Sequence, residues 1–531
     1  MKTQFNSASS IRGGSVRHSR KELIPVLGAL IGLSLTAPIA NGQTFPSGFT
    51  ATTLVSTDLP RPIRLCLHTD GRLFIAQQGG AVRIWKEDVG LLPTPYYQFP
   101  TTFSGENGLL GIALNPDPTS EFTLFAYYNN ATVAPNGSSR VVKIRAANPS
   151  DDVAIPNSET LLMSPSTFSG IHNGGGLQFG IDGKLYISVG EGGTQSNAQS
   201  LANLRGKVLR INADGSIPDD NPTSFHGIAG TTTGLNRAIY AVGFRNPFHL
   251  SIQPVTGRLF VNDVDPTQQV NEGFAGRNYG WGSTAGPVTL PLFEYPYGSG
   301  PNAGRAIVGG EFYSPAVCAL PPQYFNAYFF ADYFSDWIKF INLDTLAVTS
   351  FATAIGGVTD MEFDQQGRMY LVSNDGGRLI RVEYTAPLPP TLAREPKSVR
   401  LCLGETARFS IVPSGNVPLT YQWRHDDVDL VDNARISGST GLELTITDVT
   451  TNDVGAYTCD ISNVHGNVVT AVADLTIGGT GGSRTGAEIA RFISLLQSGT
   501  GNATDLCHFD FDGDAAIDMD DVPGLIDRLL E

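Results

Sequence analysis

The feature that most limits what this chain can become is a pattern that keeps returning between residues 45 and 385. Alternating apolar residues run into a polar turn, and a second short apolar strand follows. The copies are "IRLCLHTDGRLFIAQ" (63–77), "GLQFGIDGKLYISVG" (176–190), "HLSIQPVTGRLFVND" (249–263) and "DMEFDQQGRMYLVSN" (360–374). A longer version is "LLGIALNPDPTSEFTLFAYY" (109–128), and "AYFFADYFSDWIKFINLD" (327–344) is a degenerate one. Strands of period two that pair within a unit leave one apolar face that only a neighbouring unit can cover. Stacked units still expose sheet edges, and closing the stack into a ring removes them. The expectation is a mainly β chain whose first domain, 45–385, is a six-bladed β-propeller. The strand near "FTATTLVS" completes its last blade.

The rest of the chain needs further domains, because 531 residues exceed one ordinary domain. Sixty glycines, 33 prolines and only 16% charged residues suit turn-punctuated β structure. A formal net charge of −15 argues against nucleic acid and anionic membranes as partners. Residues 1–42 read as a signal peptide. Arg12, Arg17, Arg20 and Lys21 precede the apolar run "LIPVLGALIGLSLTAPIA", and small residues close it at Gly42. The expected location is secreted, periplasmic or cell-surface. Cys66, Cys318, Cys402, Cys459 and Cys507 are widely spaced with no CxxC, which argues against a thiolate metal cluster or redox motif.

Beyond the stiff break "APLPP" (386–390), residues 391–477 read as an immunoglobulin-like sandwich. Trp423 in "YQW" takes the core tryptophan position, and Tyr457 precedes Cys459 by two residues, the tyrosine-corner spacing. Strand "ARFSI" carries Ile411 where a cysteine usually stands, so a bridge between Cys402 and Cys459 stays open. A flexible linker (478–486) leads to a dockerin-like module at 487–531. There Ile489, Phe492, Ile493 and Leu496 form an apolar helix stripe. Asp510, Asp512, Asp514, Asp518 and Asp521 occupy calcium-loop positions 1, 3, 5, 9 and 12. Ala515 replaces the usual turn glycine, and the final aspartate replaces a bidentate glutamate. This module and the sandwich suit attachment to a surface or a protein partner.

Four segments carry a resemblance: "GENGLLGIALNPDP" (105–118), "HNGGGLQFGIDGKLYISVGEGG" (172–193), "GKVLRINADGSIPDDNP" (206–222) and "YAVGFRNPFHLSI" (240–252). "NYGW" (278–281) supports them. Together they resemble the soluble quinoprotein glucose, aldose sugar and sorbosone dehydrogenases, six-bladed propellers that oxidise sugars with pyrroloquinoline quinone and Ca2+. The resemblance implies that His172 is the general base and Glu191 its orienting carboxylate. It implies that Arg245 and Asn246 reach the quinone oxygens, and that Glu106 contacts cofactor or substrate. It implies that the backbone carbonyls of Asp265 and Pro266 hold the cofactor's calcium. Imidazole changes charge near neutral pH, which suits a base, and a fixed cation stabilises charge developing on a quinone.

The sequence also departs from that family. Basic residues expected in the late blades are missing: the lysine position falls at Phe334, and the arginine positions fall in "GGVTD" (356–360). "YFFADY" resembles the branch of Hedgehog-interacting-protein-like propellers instead. A second reading therefore stands beside sugar oxidation, a binding or adhesion propeller that has lost its cofactor. No G-x-G-x-x-G lies between a strand and a helix, and neither G-x-S-x-G nor H-E-x-x-H is present, so nicotinamide, α/β-hydrolase and zincin chemistry are unsupported.

Overall fold

The computed structural model describes residues 43–498 except Thr102, 117–121, 131–137, 166–169, Ala285 and 478–485. After Ser498 it describes Phe509, Ile517, Asp521 and Val522. The signal segment and the linker residues 478–485 lie outside the described residues.

Four of the repeated units close with related hairpins, three of the same length and one, at 253–258, a residue longer. The backbone N–H groups of His68, Gly180, Gln253 and Asp364 donate to the carbonyls of Arg72, Lys184, Arg258 and Arg368 at 2.9, 2.9, 2.9 and 3.0 Å. Each turn then needs a residue at positive φ, and Gly71, Gly183, Gly257 and Gly367 supply it at 88°, 70°, 72° and 74°. Only glycine enters that region without steric cost, so the shared "G" of the repeat sets the hairpin register.

These hairpins form the inner halves of blades. The innermost strands are Pro62–Leu67, Leu109–Leu114, Gly174–Phe179, Pro247–Ile252, Ile307–Tyr313 and Val358–Phe363, each at the edge of its own antiparallel sheet. Each packs against the next, and Val358–Phe363 packs against Pro62–Leu67, which closes the ring. The second strands, such as Leu73–Gln77 and Leu185–Val189, are buried along their whole length. Neighbouring blades cover both of their faces, so their apolar runs are nearly continuous. Aromatic pairs bridge the blades: Phe125 meets Phe179 at 5.0 Å and Phe260 meets Phe312 at 4.8 Å, both edge to face. Phe49–Val55, from the start of the described chain, pairs antiparallel with Arg378–Tyr384 and completes the sixth sheet.

The degenerate unit at 327–344 is a correction. It supplies the second and third strands of blade five, Ala327–Asp332 and Trp337–Asn342, and not the inner pair. The true inner strand, Ile307–Tyr313, carries Gly309 and Gly310 mid-strand. A Cβ on Gly310 would meet the Tyr328 hydroxyl at 2.1 Å, so close packing has replaced the apolar alternation seen elsewhere.

The sandwich has one sheet built on Thr420–His425, Gly455–Asn463 and Ala473–Ile477, and a second built on Ala407–Ser410, Glu443–Ile446 and Ile436–Ser437. Trp423 is fully buried and its Nε1 donates to the Gly441 carbonyl at 3.0 Å. The Tyr457 hydroxyl donates to the Asp453 carbonyl at 2.7 Å, which is the corner that its spacing predicts. The open question about Cys402 and Cys459 resolves against a bridge: Cys459 is a free buried thiol, and Cys402 is disulfide-bonded elsewhere. The strand leading to Cys402, Val399–Leu401, is separated from Gly455–Asn463 by Ala473–Ile477 in the same sheet. Two strand spacings come to about 9–10 Å, beyond the reach of about 7 Å between Cα atoms of a disulfide.

The sandwich docks on blade five. The Cys318 N–H donates to the Pro413 carbonyl at 2.8 Å, and Ser414 Oγ donates to the Leu320 carbonyl at 2.6 Å. A helix spans Gly486–Ser498, so Gly486 is helical and not linker. Its buried face also differs from the expected stripe. Phe492 and Leu495 pack with Phe509 and Ile517, whereas Ile493 is 48% exposed. Of the proposed calcium-loop carboxylates, Asp510, Asp512, Asp514 and Asp518 lie outside the described residues, and Asp521 is buried.

Candidate active site

Antiparallel pairing puts the starts of the inner strands and the ends of the second strands on one edge of the ring. Glu106 precedes Leu109–Leu114, His172 precedes Gly174–Phe179, and Glu191 follows Leu185–Val189. Arg245 and Asn246 fill the turn before Pro247–Ile252. Five residues scattered over the sequence are thereby gathered around one axis.

His172 is the centre of the cluster. It is buried and sits at a φ of 52°, a left-handed conformation that costs a non-glycine residue about 1–2 kcal/mol. Three contacts hold it there. Its N–H donates to Glu106 Oε2 at 2.7 Å, its carbonyl accepts from the Gly192 N–H at 3.1 Å, and its Nδ1 meets Glu191 Oε1. Nδ1 is thus committed to a carboxylate, which leaves Nε2 as the nitrogen that can exchange a proton. The glycines after His172 let the blades close around it. A Cβ on Gly174 would meet the Ser188 carbonyl oxygen at 2.6 Å, and one on Gly175 would meet Leu110 Cβ at 2.8 Å.

Glu191 is fixed by its own backbone, whose N–H donates to the Arg245 carbonyl at 2.8 Å, and by the Gly193 N–H on Oε1 at 3.1 Å. Asn246 ties the blades together. Its Oδ1 accepts from the Gly174 N–H at 3.0 Å and its Nδ2 donates to Glu106 Oε2 at 3.4 Å. Arg245 is buried, donates from Nη1 to the Val264 carbonyl at 2.7 Å, and has its guanidinium 5.5 Å from the centre of the Trp281 ring. Burial pushes the Glu106 carboxyl above its ordinary value, against the pull of His172 and Arg245. Two buried carboxylate oxygens, Glu106 Oε1 and Glu191 Oε2, have no hydrogen-bond partner among the described residues. Leaving such an atom unmet costs about 1–3 kcal/mol, which a ligand hydroxyl or cation would recover.

The remaining expected residues sit beside this cluster. Asp265 and Pro266 follow the strand Leu259–Asp263; Pro266 is exposed, and the Asp265 carbonyl accepts a hydrogen bond from the Gln268 side-chain amide. Burial, then the neighbouring Asp263, pushes the Asp265 carboxyl upward, against the pull of Arg245. Among the described residues no three His, Cys, Asp or Glu side chains stand at metal-binding spacing. Phe334 lines a separate depression with Arg305 and Trp337, while its neighbour Tyr333 reaches the axis.

Sequence reasoning missed Asp263. Its Oδ2 accepts from the Arg245 N–H at 3.0 Å and its Oδ1 from the Asn246 N–H at 2.7 Å, so one carboxylate clamps the whole turn. No local motif marks that role, because the clamp joins residues paired only through the sheet. Also missed was the pocket on the axis, floored by Ile63, Leu110, Phe248 and Val308 and reached by Glu106.

The glucose/sorbosone dehydrogenase family pattern matches residues 59–288, and the immunoglobulin domain pattern matches 389–463. Aldose sugar dehydrogenase YliI of Escherichia coli is 28% identical over 341 residues, covering 62% of this chain and 85% of that protein. Quinoprotein glucose dehydrogenase B of Acinetobacter calcoaceticus is 29% identical over 265 residues, covering 44% of this chain and 52% of that protein. The crystal structure of the soluble aldose sugar dehydrogenase from Escherichia coli, in its apo form, superposes with a TM-score of 0.55 at 24% identity. It covers 63% of this chain and 99% of that one, and shows the shared fold. The chain therefore carries a glucose/sorbosone dehydrogenase family domain, with an immunoglobulin-like domain behind it.

Proposed function

We propose that this protein is a secreted sugar dehydrogenase that oxidises an aldose, or a related hydroxyl compound, at C1 with pyrroloquinoline quinone and Ca2+. The observation that carries the reading is the buried His172–Glu191 pair, set beside Arg245 and two carboxylate oxygens that are unpartnered among the described residues. The chemistry of the residues present supports such a cofactor: Arg245 is a buried cation beside the His172–Glu191 pair, and Glu106, which binds the His172 N–H, reaches an axial pocket floored by apolar side chains. When bound, the quinone supplies a two-electron acceptor for the hydride leaving C1. His172 Nε2 takes the proton of the hydroxyl being oxidised, and Glu191 stabilises the imidazolium that results. Arg245, with Asn246 beside it, sets a fixed cation toward the quinone oxygens. The main-chain oxygens of Asp265 and Pro266, which follow the strand Leu259–Asp263, would hold the calcium. At the far end of the chain, Asp510, Asp512, Asp514, Asp518 and Asp521 are proposed to bind a separate calcium ion and to help dock the protein to a surface or partner.

The purified full chain, given quinone and calcium, should reduce an artificial electron acceptor when supplied with aldoses. No turnover across a broad aldose panel, with no quinone retained, would overturn this reading. That result would favour the binding or adhesion propeller, which the missing bases at Phe334 and 356–360 support.

A further inference from the structure

Two residues on the late-blade wall of the axial pocket hold the place in their blades that Glu191 holds in blade three. Tyr333 follows the second strand of blade five, Ala327–Asp332, and Asn374 follows that of blade six, Met369–Ser373. Antiparallel pairing puts both on the ring edge that carries His172, and both line the pocket together with Glu106.

The two are joined and pinned. Asn374 Nδ2 donates to the Tyr333 hydroxyl at 2.9 Å. The Tyr333 N–H donates to the Ala306 carbonyl at 2.9 Å, and the Asn374 N–H to the Gly357 carbonyl at 3.0 Å. A Cβ on Gly357, at a φ of 65°, would stand 3.2 Å from Tyr333 Cε2. The ring thus takes room that a side chain from this turn would need.

Because the hydroxyl accepts from Asn374, its own proton is turned elsewhere, and no described residue accepts it. Neighbouring donors are spent on the backbone. Thr359 Oγ1 donates to the Pro62 carbonyl at 2.8 Å, and the Gln78 side-chain amide to the carbonyls of Gly105 and Asn107 at 2.9 and 3.0 Å. Burial pushes the Tyr333 phenol above its ordinary value, against the Asn374 bond, so the proton stays on at neutral pH. The pocket floor, Ile63, Leu110, Phe248 and Val308, offers that proton no side-chain acceptor. A half-buried donor of this kind calls for a ligand oxygen.

We propose that Tyr333 is a ligand-binding residue whose hydroxyl, held by Asn374, donates a hydrogen bond to an oxygen acceptor in the axial pocket. Two molecules can bring that oxygen, the quinone and the sugar, and the assignment rests on the dehydrogenase reading above. Recognition at this wall is then by a neutral hydrogen bond, in place of the ion pairs that basic residues at Phe334 or 356–360 would give.

The test compares Tyr333→Phe with the wild-type full chain in two arms. A titration with pyrroloquinoline quinone in calcium, read by quinone absorbance without sugar, gives cofactor affinity. Steady-state turnover of the loaded protein with an aldose and an artificial acceptor gives KM and kcat. Losing one neutral hydrogen bond should weaken quinone affinity by about 3- to 10-fold if the oxygen is the cofactor's. If it is the sugar's, KM should rise by that factor while quinone affinity and kcat hold. Asn374→Leu leaves the hydroxyl unaimed and should give a smaller loss in the same arm; it carries the comparison if Tyr333→Phe does not fold. Unchanged quinone affinity and KM, whatever happens to the melting temperature, overturn the assignment alone. A wild-type chain that neither binds quinone nor oxidises an aldose overturns the dehydrogenase reading and this assignment with it.

Discussion

The propeller and the sandwich bury their side chains for different ends. The sandwich core is apolar almost throughout, with Phe409, Ile411, Trp423, Leu444, Ile446 and Ile461 filling the space between two sheets. The propeller buries its own aromatic layers between blades, yet it also buries Glu106, His172, Glu191, Arg245 and Asn246 around its axis. The reason is geometric. Two facing sheets can interdigitate completely, whereas six strands around an axis leave a space that their side chains do not close. A ring supplies polar groups from several blades to one spot, and a sandwich core offers no such spot.

The largest effect that tests this contrast is on turnover. His172→Ala should lower kcat by about 10^2- to 10^4-fold, the usual contribution of a positioned base, while quinone binding and the melting temperature stay close to wild type. Steady-state kinetics beside a binding titration checks it; an equal fall in quinone affinity would make His172 a binding residue.

Next is a change confined to the other region. Trp423→Ala should destabilise the sandwich by about 3–5 kcal/mol, as expected for removing a fully buried large aromatic. Calorimetry should show an early sandwich transition, with dehydrogenase turnover retained below it. Loss of turnover together with the sandwich would show that docking through Cys318 and Ser414 supports the active propeller.

The two regions should also answer pH in opposite directions. On the innermost strands of the propeller, burial and nearby Asp360 push Glu311 above the ordinary glutamate value of 4.5, and burial with Glu311 pushes Glu362 well above it. Between the unfolded and folded values the native state keeps protons that the unfolded chain has released. These groups therefore withdraw stability as pH rises above about 4.5. Glu311→Gln should raise the propeller's melting temperature more at pH 8 than at pH 5. In the sandwich, burial works to raise Asp453, but hydrogen bonds from Arg435 and Thr450 outweigh it and hold the carboxyl at about 2. That stability is present above the ordinary value of 3.8 and is lost as pH falls through 2. Asp453→Asn should remove this acid sensitivity. A propeller transition whose pH dependence Glu311→Gln leaves unchanged would refute the propeller half of this contrast.

The smallest expected effect is Tyr457→Phe, which deletes the hydroxyl bond to the Asp453 carbonyl and should cost about 0.5–1.5 kcal/mol in chemical denaturation of the sandwich. Turnover should not change.

What the sequence determined by itself was whatever short-range physics repeats. The glycines at 71, 183, 257 and 367 announce related hairpins, and their recurrence implies stacked blades. The Trp423 and Tyr457 spacing announces a sandwich, because a corner bond spans four residues. The choice of His172, Glu191, Arg245 and Asn246 rests on the family resemblance of their segments, and the fold brings these residues together at one edge of the ring. Tertiary structure decided the rest. The inner strand of blade five was hidden, since packing against Tyr328 selects glycine where a pattern would show an apolar residue. Cys402 and Cys459 were kept apart by an intervening strand that enters the sheet much later in the chain. Asp263 carries no local signal, because its clamp on the Arg245 and Asn246 N–H groups exists only once distant strands are paired. Contacts between residues far apart in the chain set these roles, and their geometry is fixed by ring closure and not by neighbours in sequence.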